Sequence, residues 1–423
     1  MKIILASNSP RRRELLGGLG INFEVKVVDG VDESYPDTLP AKDVAEYIAR
    51  EKASVYDVAA DELVITADTV VIVGVDILGK PKDADDAHRM LREISGRTHQ
   101  VVTGVCLTTA NEQRHFAATV PAGNYSGITH YRDKQYFVVS DKSKTDGFFI
   151  FDIDIDSISG QLIQVVNRGF CSSQLANRDG EGITYLPVSQ TVMVSGEADG
   201  RILEYDTNGQ LTHREAEVPA IYRKADRNLG FEALGYNADT HRVWTCNEST
   251  LDGDGPRSDS RNGARNRLRF QSFDEALKPI AQYAYLMDAP LSTRTSALFA
   301  MGVPTITPLN DGSLLVLERE FYVSPAKIGS YVSCRLFQAW PDTPLTNEES
   351  LNRDDVQYMD KHLLTQWQTR LTLFNHSLAN YEGMCLGPRL ADGSQVLILV
   401  SDSQDQYYGV LKDWFKTLVV RLK

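Results

Sequence analysis

The hydrophobic rhythm of the chain changes once, near residues 111–123. Before that point, apolar runs and helical spacings alternate. Ile3-Ile4-Leu5 is a short apolar strand. Ala6 to Pro10 is a small-residue turn, and Arg11-Arg12-Arg13 opens a helix continued by Leu15, Leu16 and Leu19. Phe23 to Val28 reads as a strand. Ala41 to Val58 places Val44, Ala45, Ile48, Ala49, Ala53 and Val55 at helical spacing, which predicts a helix carrying Lys52. Leu63 to Ala67 is a buried-type strand that delivers Asp68 and Thr69 at its end, with Val70 to Val73 continuing it. Ile77 to Pro81 reads as a turn, Asp83 to Ile94 as a helix and His99 to Thr108 as a strand. The alternation predicts an α/β sheet, a class that binds ligands at open strand ends.

Beyond residue 123 nearly everything reads as short strands and turns, with a loose repeat. Ser126-Gly127-Ile128, Glu181-Gly182-Ile183, Glu232-Ala233-Leu234, Thr305-Ile306-Thr307 and Glu382-Gly383-Met384 each precede a turn and a longer strand that ends in an acid. Repeats of roughly 50 residues with several strands each predict a β-propeller of about five to seven blades. Two stretches break the rhythm. Residues 250–266 are polar and Gly-rich and read as a long surface loop. Residues 354–373 place Val356, Met359, Leu363, Leu364, Trp367 and Leu371 at helical spacing and read as an inserted helix.

Composition narrows the class without changing the fold. A chain of 423 residues has room for two or three domains, and 42% hydrophobic and 24% charged residues are ordinary for a globular protein. A net charge of −13 argues against a general nucleic-acid binder. No apolar run approaches the roughly 20 residues of a membrane span. The apolar start is too short for a signal-peptide core, so a cytoplasmic location is expected. The five cysteines are scattered, form no CxxC pair and are expected as buried thiols.

The first thirteen residues change the picture. A strand running through Ser7-Asn8-Ser9-Pro10 into a helix start aims backbone N–H groups and two hydroxyls at one spot, and the arginines add forked positive charge. Glu33 and Asp68 are acids at loop or strand ends, with Lys52 and Lys80 near the same edge. Cutting a nucleoside triphosphate requires cations for the triphosphate, carboxylates for Mg²⁺ and a base for water. Arg11, Arg12, Lys52 and Lys80 can supply the first, Glu33 and Asp68 the second, and Asp68 is the better base.

ASNSPRR at 6–12, AREKA at 49–53, TADTVV at 66–71, LGKP at 78–81 and LREISGRTHQVVTGV at 91–105 resemble the Maf family of nucleotide pyrophosphatases. The resemblance implies hydrolysis of a nucleoside triphosphate to the monophosphate and diphosphate with Mg²⁺ or Mn²⁺. It implies Asp68 as catalytic proton acceptor and Ser7, Arg12, Glu33, Lys52 and Lys80 as substrate or metal contacts. Arg11 and Thr69 match the subgroup acting on dTTP and UTP. The partner implied is a small nucleotide, and members of the family often dimerise. The resemblance ends after Phe116: the family's second half, with its Asp-Lys-Ala-Gly-Ala-Tyr-Gly-Ile-Gln segment, has no counterpart. The segment 1–116 is therefore expected to be an incomplete α/β half-domain.

The repeat region resembles the phytase-like family, also described as esterase-like. SGITHYRDKQYFVVSDKS at 126–143, DGEGITYLP at 179–187, GFEALGYN at 230–237, CNESTLDGDGP at 246–256, NYEGMCLGP at 380–388 and LILVSD at 397–402 carry that resemblance. Propeller geometry gathers equivalent positions round a central channel. Asp141, Glu181, Glu197, Glu232, Glu248, Glu320, Glu382 and Asp402 recur at equivalent strand ends and are expected as an acidic ring able to hold Ca²⁺ or another hard cation. The sequence has no GxSxG elbow and no paired histidines. Residues 119–423 are therefore read either as a metal-dependent ester hydrolase or as a non-catalytic binding propeller. The whole chain reads as a fusion joined near residues 110–122.

Overall fold

The computed structural model describes the chain except residues 1, 19–20, 29, 32, 37–38, 60, 75, 110–112, 119–122, 226–229, 347, 373–377, 405–409, 412 and 423, with residues 113–118 described by backbone alone. The expected junction at 110–122 lies mostly outside the described residues. Two compact units result, one of residues 1–122 with 163–167, the other of residues 123–162 and 168–423.

The first unit is built on one mixed sheet. Its strands are β1 (Lys2–Leu5), β2 (Glu24–Val25), β3 (Glu62–Val73), β4 (Asp76–Leu78), β5 (Gln100–Thr108) and β6 (Gln113–Ala118), in the order β2-β1-β3-β5-β6 with β4 folded back on β3. The pairs β1–β2 and β1–β3 are parallel, and β3–β5 and β5–β6 are antiparallel. The helices are α1 (Pro10–Gly18), α2 (Val44–Ser54) and α3 (Ala84–Ile94). The helical spacing read from residue 41 holds in α2, preceded by a 3₁₀ turn at Ala41–Asp43. Val44, Ala45 and Ile48 of α2 pack on Val70, Ile72 and Val102 of the sheet. Full burial of a Val or Ile side chain contributes about 1.5–3 kcal/mol.

Four sequence readings change here. Ile77 and Leu78, read as part of a turn, pair with Ile72 and Val71 in β4. The strand expected at Phe23 to Val28 pairs only over Glu24–Val25. Asp68 does not end a strand. β3 runs unbroken through it, because β5 supplies a continuous antiparallel partner from Val64 to Ile72. Asp68 then lies directly opposite Gly104. A β-carbon at Gly104 would sit 2.3 Å from the backbone nitrogen of Glu46, so glycine there lets α2 rest on the sheet itself. The fourth change is that the sheet extends past Thr108 into β6, beyond the last strand read from the sequence.

The two sides of this sheet differ. On β5, Val102, Gly104 and Cys106 are buried on the α2 side, whereas Val101 on the other side is 48% exposed and Thr103, Val105 and Leu107 are half-buried. Neither α1 nor α3 buries a residue fully.

The second unit is a five-bladed propeller among the described residues. Blade one comprises Tyr125–Arg132, Gln135–Ser140, Thr145–Ile155 and Leu162–Ala176. Blade two comprises Gly180–Leu186, Thr191–Gly196, Arg201–Asp206 and Leu211–Glu215, and blade three Phe231–Asn237, Arg242–Asn247, Arg267–Phe273 and Pro279–Leu286. Blade four comprises Leu298–Pro308, Leu314–Val323, Tyr331–Trp340 and Asp360–Arg370, and blade five Asn380–Arg389, Gln395–Asp402 and Phe415–Val420. The first strand of each blade is innermost. These five strands lie side by side in chain order and the fifth returns to the first, which closes a ring. Their approach is close: a β-carbon at Gly127 would lie 2.4 Å from the Glu181 carbonyl oxygen, and one at Gly182 2.5 Å from that of Glu232. The recurrent small residue read from the repeats is therefore a packing requirement of the ring.

The helix expected over 354–373 is instead the outer strand Asp360–Arg370 of blade four, with the expected end at Leu373 outside the described residues. A bulge explains the misleading pattern. Leu336 pairs with Thr365 and Phe337 with Leu363, so Leu364 is skipped and the alternation changes phase there. The loop 250–266 is not simply a surface feature. Asp254 and Asn266 within it are buried, and Asp254 is held by fully buried Arg269 at 2.7 and 2.9 Å.

Candidate functional sites

In the first unit, β1 ends at Leu5 and the chain turns through Ser7-Asn8-Ser9 into α1. Ser9 Oγ accepts a hydrogen bond from the Arg12 backbone N–H at 3.4 Å, and Ser7 Oγ accepts one from Ser9 N–H at 3.2 Å. These hydroxyls shape the helix start. Arg12 then folds back over the sheet: its Nη1 donates to the Ala67 carbonyl at 2.8 Å and Ser7 Oγ at 3.3 Å, and its Nη2 donates to Thr69 Oγ1 at 3.3 Å. A second tether sets the opposite wall. Buried Thr66 Oγ1 donates to the Ala49 carbonyl at 2.7 Å, locking α2 to β3. Lys52 lies one turn beyond Ala49, and Asp68 lies two residues beyond Thr66 on the same face. The lysine ammonium therefore meets Asp68 Oδ1 at 2.6 Å and Glu33 Oε1 at 2.9 Å. Lys80 Nζ stands 3.8 Å from the same Glu33 oxygen.

Ser7, Arg12, Glu33, Lys52 and Lys80 line one cleft of about 480 Å³, with Val27, Val28, Gly30, Val31 and Tyr56 forming another side. Asp68, only 5% exposed, meets this cleft through Lys52. Arg11 is exposed and does not line it, and Thr69 touches it only through Arg12. The Tyr56 wall was not legible, because its tyrosine is placed by contacts distant in sequence: Tyr56 OH donates to the Lys26 carbonyl and accepts from Val28 N–H, both at 3.0 Å. Burial works to raise the Glu33 carboxyl, but the hydrogen bond from Lys52 and the charges of Lys52, Lys80 and Arg12 bring it below its ordinary range. Burial lowers the Arg12 guanidinium, partly offset by Asp68 and Glu33. The donor set suits a hard divalent cation. Two carboxylates converge on a point now filled by an ammonium, and such a cation would draw its remaining ligands from other oxygens.

The propeller gathers charge at its axis. Asp141, Lys142, Asp179, Glu181, Glu197, Glu232, Glu248, Arg319, Asn380 and Glu382 line a channel of about 430 Å³. Six of the eight expected acids are there. Asp402 lies just behind, fully buried, accepting from Gln404 N–H at 2.8 Å. Glu320 is not in the channel. It accepts from Leu291 N–H at 2.6 Å, Ser292 N–H at 2.9 Å and Tyr331 OH at 2.6 Å on the other side of its strand. Strand alternation puts Arg319 in the channel instead. Leu314–Val323 is buried on both faces, so its sequence carried no parity signal. Arg319 Nη2 donates to Glu248 Oε1 at 2.7 Å, and Nη1 donates to Glu382 and, at 3.0 Å, to Asn380 Oδ1. Lys142 Nζ lies 2.5 Å from Asp141 and 3.5 Å from Asp179.

Too few cations serve too many carboxylates. Burial first, then Glu232, Glu382, Asp141 and Glu197, pushes Glu181 well above the usual carboxylate range. Glu197 is pushed up to about 7 by burial, Glu248 and Asp179, and Asp402 to about 7 by burial and Asp141. In the unfolded chain both would ionise at ordinary values near 4. Between about pH 4 and 7 the folded state thus binds more protons than the unfolded one, and stability falls as pH rises through that window. In chelator, the propeller's unfolding midpoint is expected to drop by several degrees between pH 5.5 and 8. A midpoint that rises across that range in calorimetry would contradict the assignment.

Comparison with known proteins gives two matches. Residues 2–126 match the family model described as Maf-like protein, and residues 120–404 match the phytase-like model described as esterase-like activity of phytase. A dTTP/UTP pyrophosphatase of Phocaeicola vulgatus is 59% identical over 119 residues, covering 28% of this chain and 62% of that protein. One of Bacteroides fragilis is 45% identical over 173 residues, covering 39% of this chain and 89% of that protein. The chain thus spans less than two thirds of the first relative.

Proposed function

We propose that this chain, which belongs to the Maf family over residues 2–126 and to the phytase-like family over residues 120–404, is a nucleoside triphosphate pyrophosphatase acting on dTTP and UTP. The observation that carries the reading is the convergence of Glu33, Lys52 and Asp68 on one side of a cleft whose other side holds Ser7 and Arg12. The names of the relatives supply the nucleotides.

In this reading Arg12, pinned by three acceptors, presents fixed positive charge to the triphosphate, and Ser7 orients a phosphate oxygen beside it. Lys52 and Lys80 neutralise the far phosphates. Glu33 and Asp68 would hold the divalent ion, which when bound offsets the charge of the phosphate oxygens. Asp68 takes the proton of the attacking water. The water oxygen forms a bond to the α-phosphorus, and the bond from that phosphorus to the α–β bridging oxygen breaks. Diphosphate then leaves with the electron pair.

The purified chain with dTTP and Mg²⁺ should yield one diphosphate per thymidine monophosphate, read by phosphorus NMR, and chelation should stop the reaction. Formation of dTDP and phosphate, or no turnover at millimolar Mg²⁺, would defeat the reading. For the phytase-like unit, the described residues lining the channel include no serine, histidine or cysteine. That lining offers no covalent nucleophile of those types; it bears on neither metal-assisted hydrolysis nor binding.

A further inference from the structure

The propeller axis holds more than an excess of acids. Single oxygens of Asp141, Asp179 and Glu181 all lie within 4.8 Å of one another. Three other polar atoms facing the same channel are sealed from solvent without a hydrogen-bond partner: Glu197 Oε1, Glu232 Oε2 and Arg319 Nε. Arg319 is itself only 5% exposed, and its other two nitrogens are already engaged with Glu248, Glu382 and Asn380. Leaving such a group unsatisfied costs about 1–3 kcal/mol. Two orphan acceptors and one orphan donor on one cavity call for an occupant that both donates and accepts. Water bound to a cation can do so on both counts, and the cation answers the surplus of carboxylates.

We propose that the propeller axis is a Ca²⁺ site, with Asp141, Asp179 and Glu181 as protein ligands and with bound waters joining the ion to Glu197, Glu232 and Arg319. Ligand number decides between the hard cations. Mg²⁺ keeps several of its waters and is usually held by one or two carboxylates, whereas Ca²⁺ takes about six to eight oxygens in a flexible arrangement. Three protein carboxylates joined to further groups through bound water suit the second arrangement. Lys142 supplies the stand-in charge. Its ammonium lies 2.5 Å from Asp141 and 3.5 Å from Asp179, and it competes with the ion for both.

Calorimetric titration of the full chain with CaCl₂, in a Glu33→Gln/Asp68→Asn background that removes the first unit's carboxylates, reads this site alone. One Ca²⁺ per chain is expected. Glu181→Gln or Asp179→Asn should weaken binding at least tenfold; both replacements are near-isosteric and reduce repulsion, so the propeller keeps its fold. Lys142→Met removes the competitor and should tighten binding several-fold, a gain that misfolding cannot imitate. The proposal is overturned by absence of saturable Ca²⁺ binding, by unchanged affinity in Glu181→Gln, or by weaker binding in Lys142→Met. Equal affinity for Mg²⁺ would overturn the choice of ion.

Discussion

Asp68→Asn is expected to lower diphosphate release from dTTP by at least about a hundredfold, the lower end of what a positioned general base contributes. The amide has the shape of the carboxylate and cannot take a proton from water. The rest of the cleft stays in place, because Arg12 is held by Ser7, Ala67 and Thr69, and Lys52 keeps Glu33 at 2.9 Å. The loss should therefore appear in kcat at saturating dTTP and Mg²⁺, together with a higher Mg²⁺ requirement, because Asp68 also serves as a metal carboxylate in this reading. The unfolding midpoint should stay within a few degrees of the parent, since α2 is anchored by Thr66 and the packed face of Val44 and Ile48 rather than by Asp68. A variant that keeps more than a tenth of the parent rate would remove Asp68 from the role of proton acceptor. Lys52→Met provides the contrast: it keeps the proton acceptor and removes the cation shared by Glu33 and Asp68, so its effect should fall mainly on the dTTP concentration dependence.

Arg319→Met should destabilise the propeller by about 3–5 kcal/mol, the range for removing one partner of a buried ion pair. Glu248 and Glu382 are 2% and 8% exposed and both rely on this guanidinium. Burial works to lower Arg319, but Glu382, Glu248 and Glu232 together raise it above its ordinary range, so it stays charged. Without it, two or three carboxylates face one another in a closed channel. At slightly under about 2 °C per kcal/mol for a unit of this size, the midpoint should fall by about 5–8 °C. Adding Glu382→Gln to the variant should restore part of that loss, because a neutral amide removes one of the stranded charges. A loss below about 1 kcal/mol by calorimetry, or no recovery in the double variant, would mean that the channel acids are balanced by something other than Arg319.

The parts legible in the sequence were those fixed locally. The helical spacing of Val44, Ala45 and Ile48 survives in α2, and the small residues at Gly127, Gly182 and Gly383 mark the innermost strands. The parts that were not legible depend on partners far along the chain. Asp68 looked like a strand end until β5 supplied its continuous partner. Leu363, Leu364 and Trp367 imitated a helix because a bulge shifted the alternation between strands. Glu320 and Arg319 exchanged roles because a strand buried on both faces gives no sign of which face is the channel. In the channel, Asp179 was within a quoted motif but sits two residues before Glu181. Its partner Asp141 reaches it only through the ring.

That ring has a kinetic meaning. Every blade is made of neighbouring antiparallel strands, so its contacts form between residues close in sequence. The contact that closes the circle joins Gly127 to Gly383, where a β-carbon at Gly383 would lie 2.9 Å from the α-carbon of Gly127. Beside it, Asn124 N–H donates to Asp413 Oδ1 at 2.8 Å, and Ser403 Oγ donates to Asn124 Oδ1 at 2.7 Å. These partners are separated by most of the chain, and bringing such distant segments together carries the largest loop-closure entropy of the fold. Blades should assemble first and the circle should close last. The slowest refolding phase is then a docking of blade five on blade one, and proteases should find the open intermediate at that seam before they find any blade.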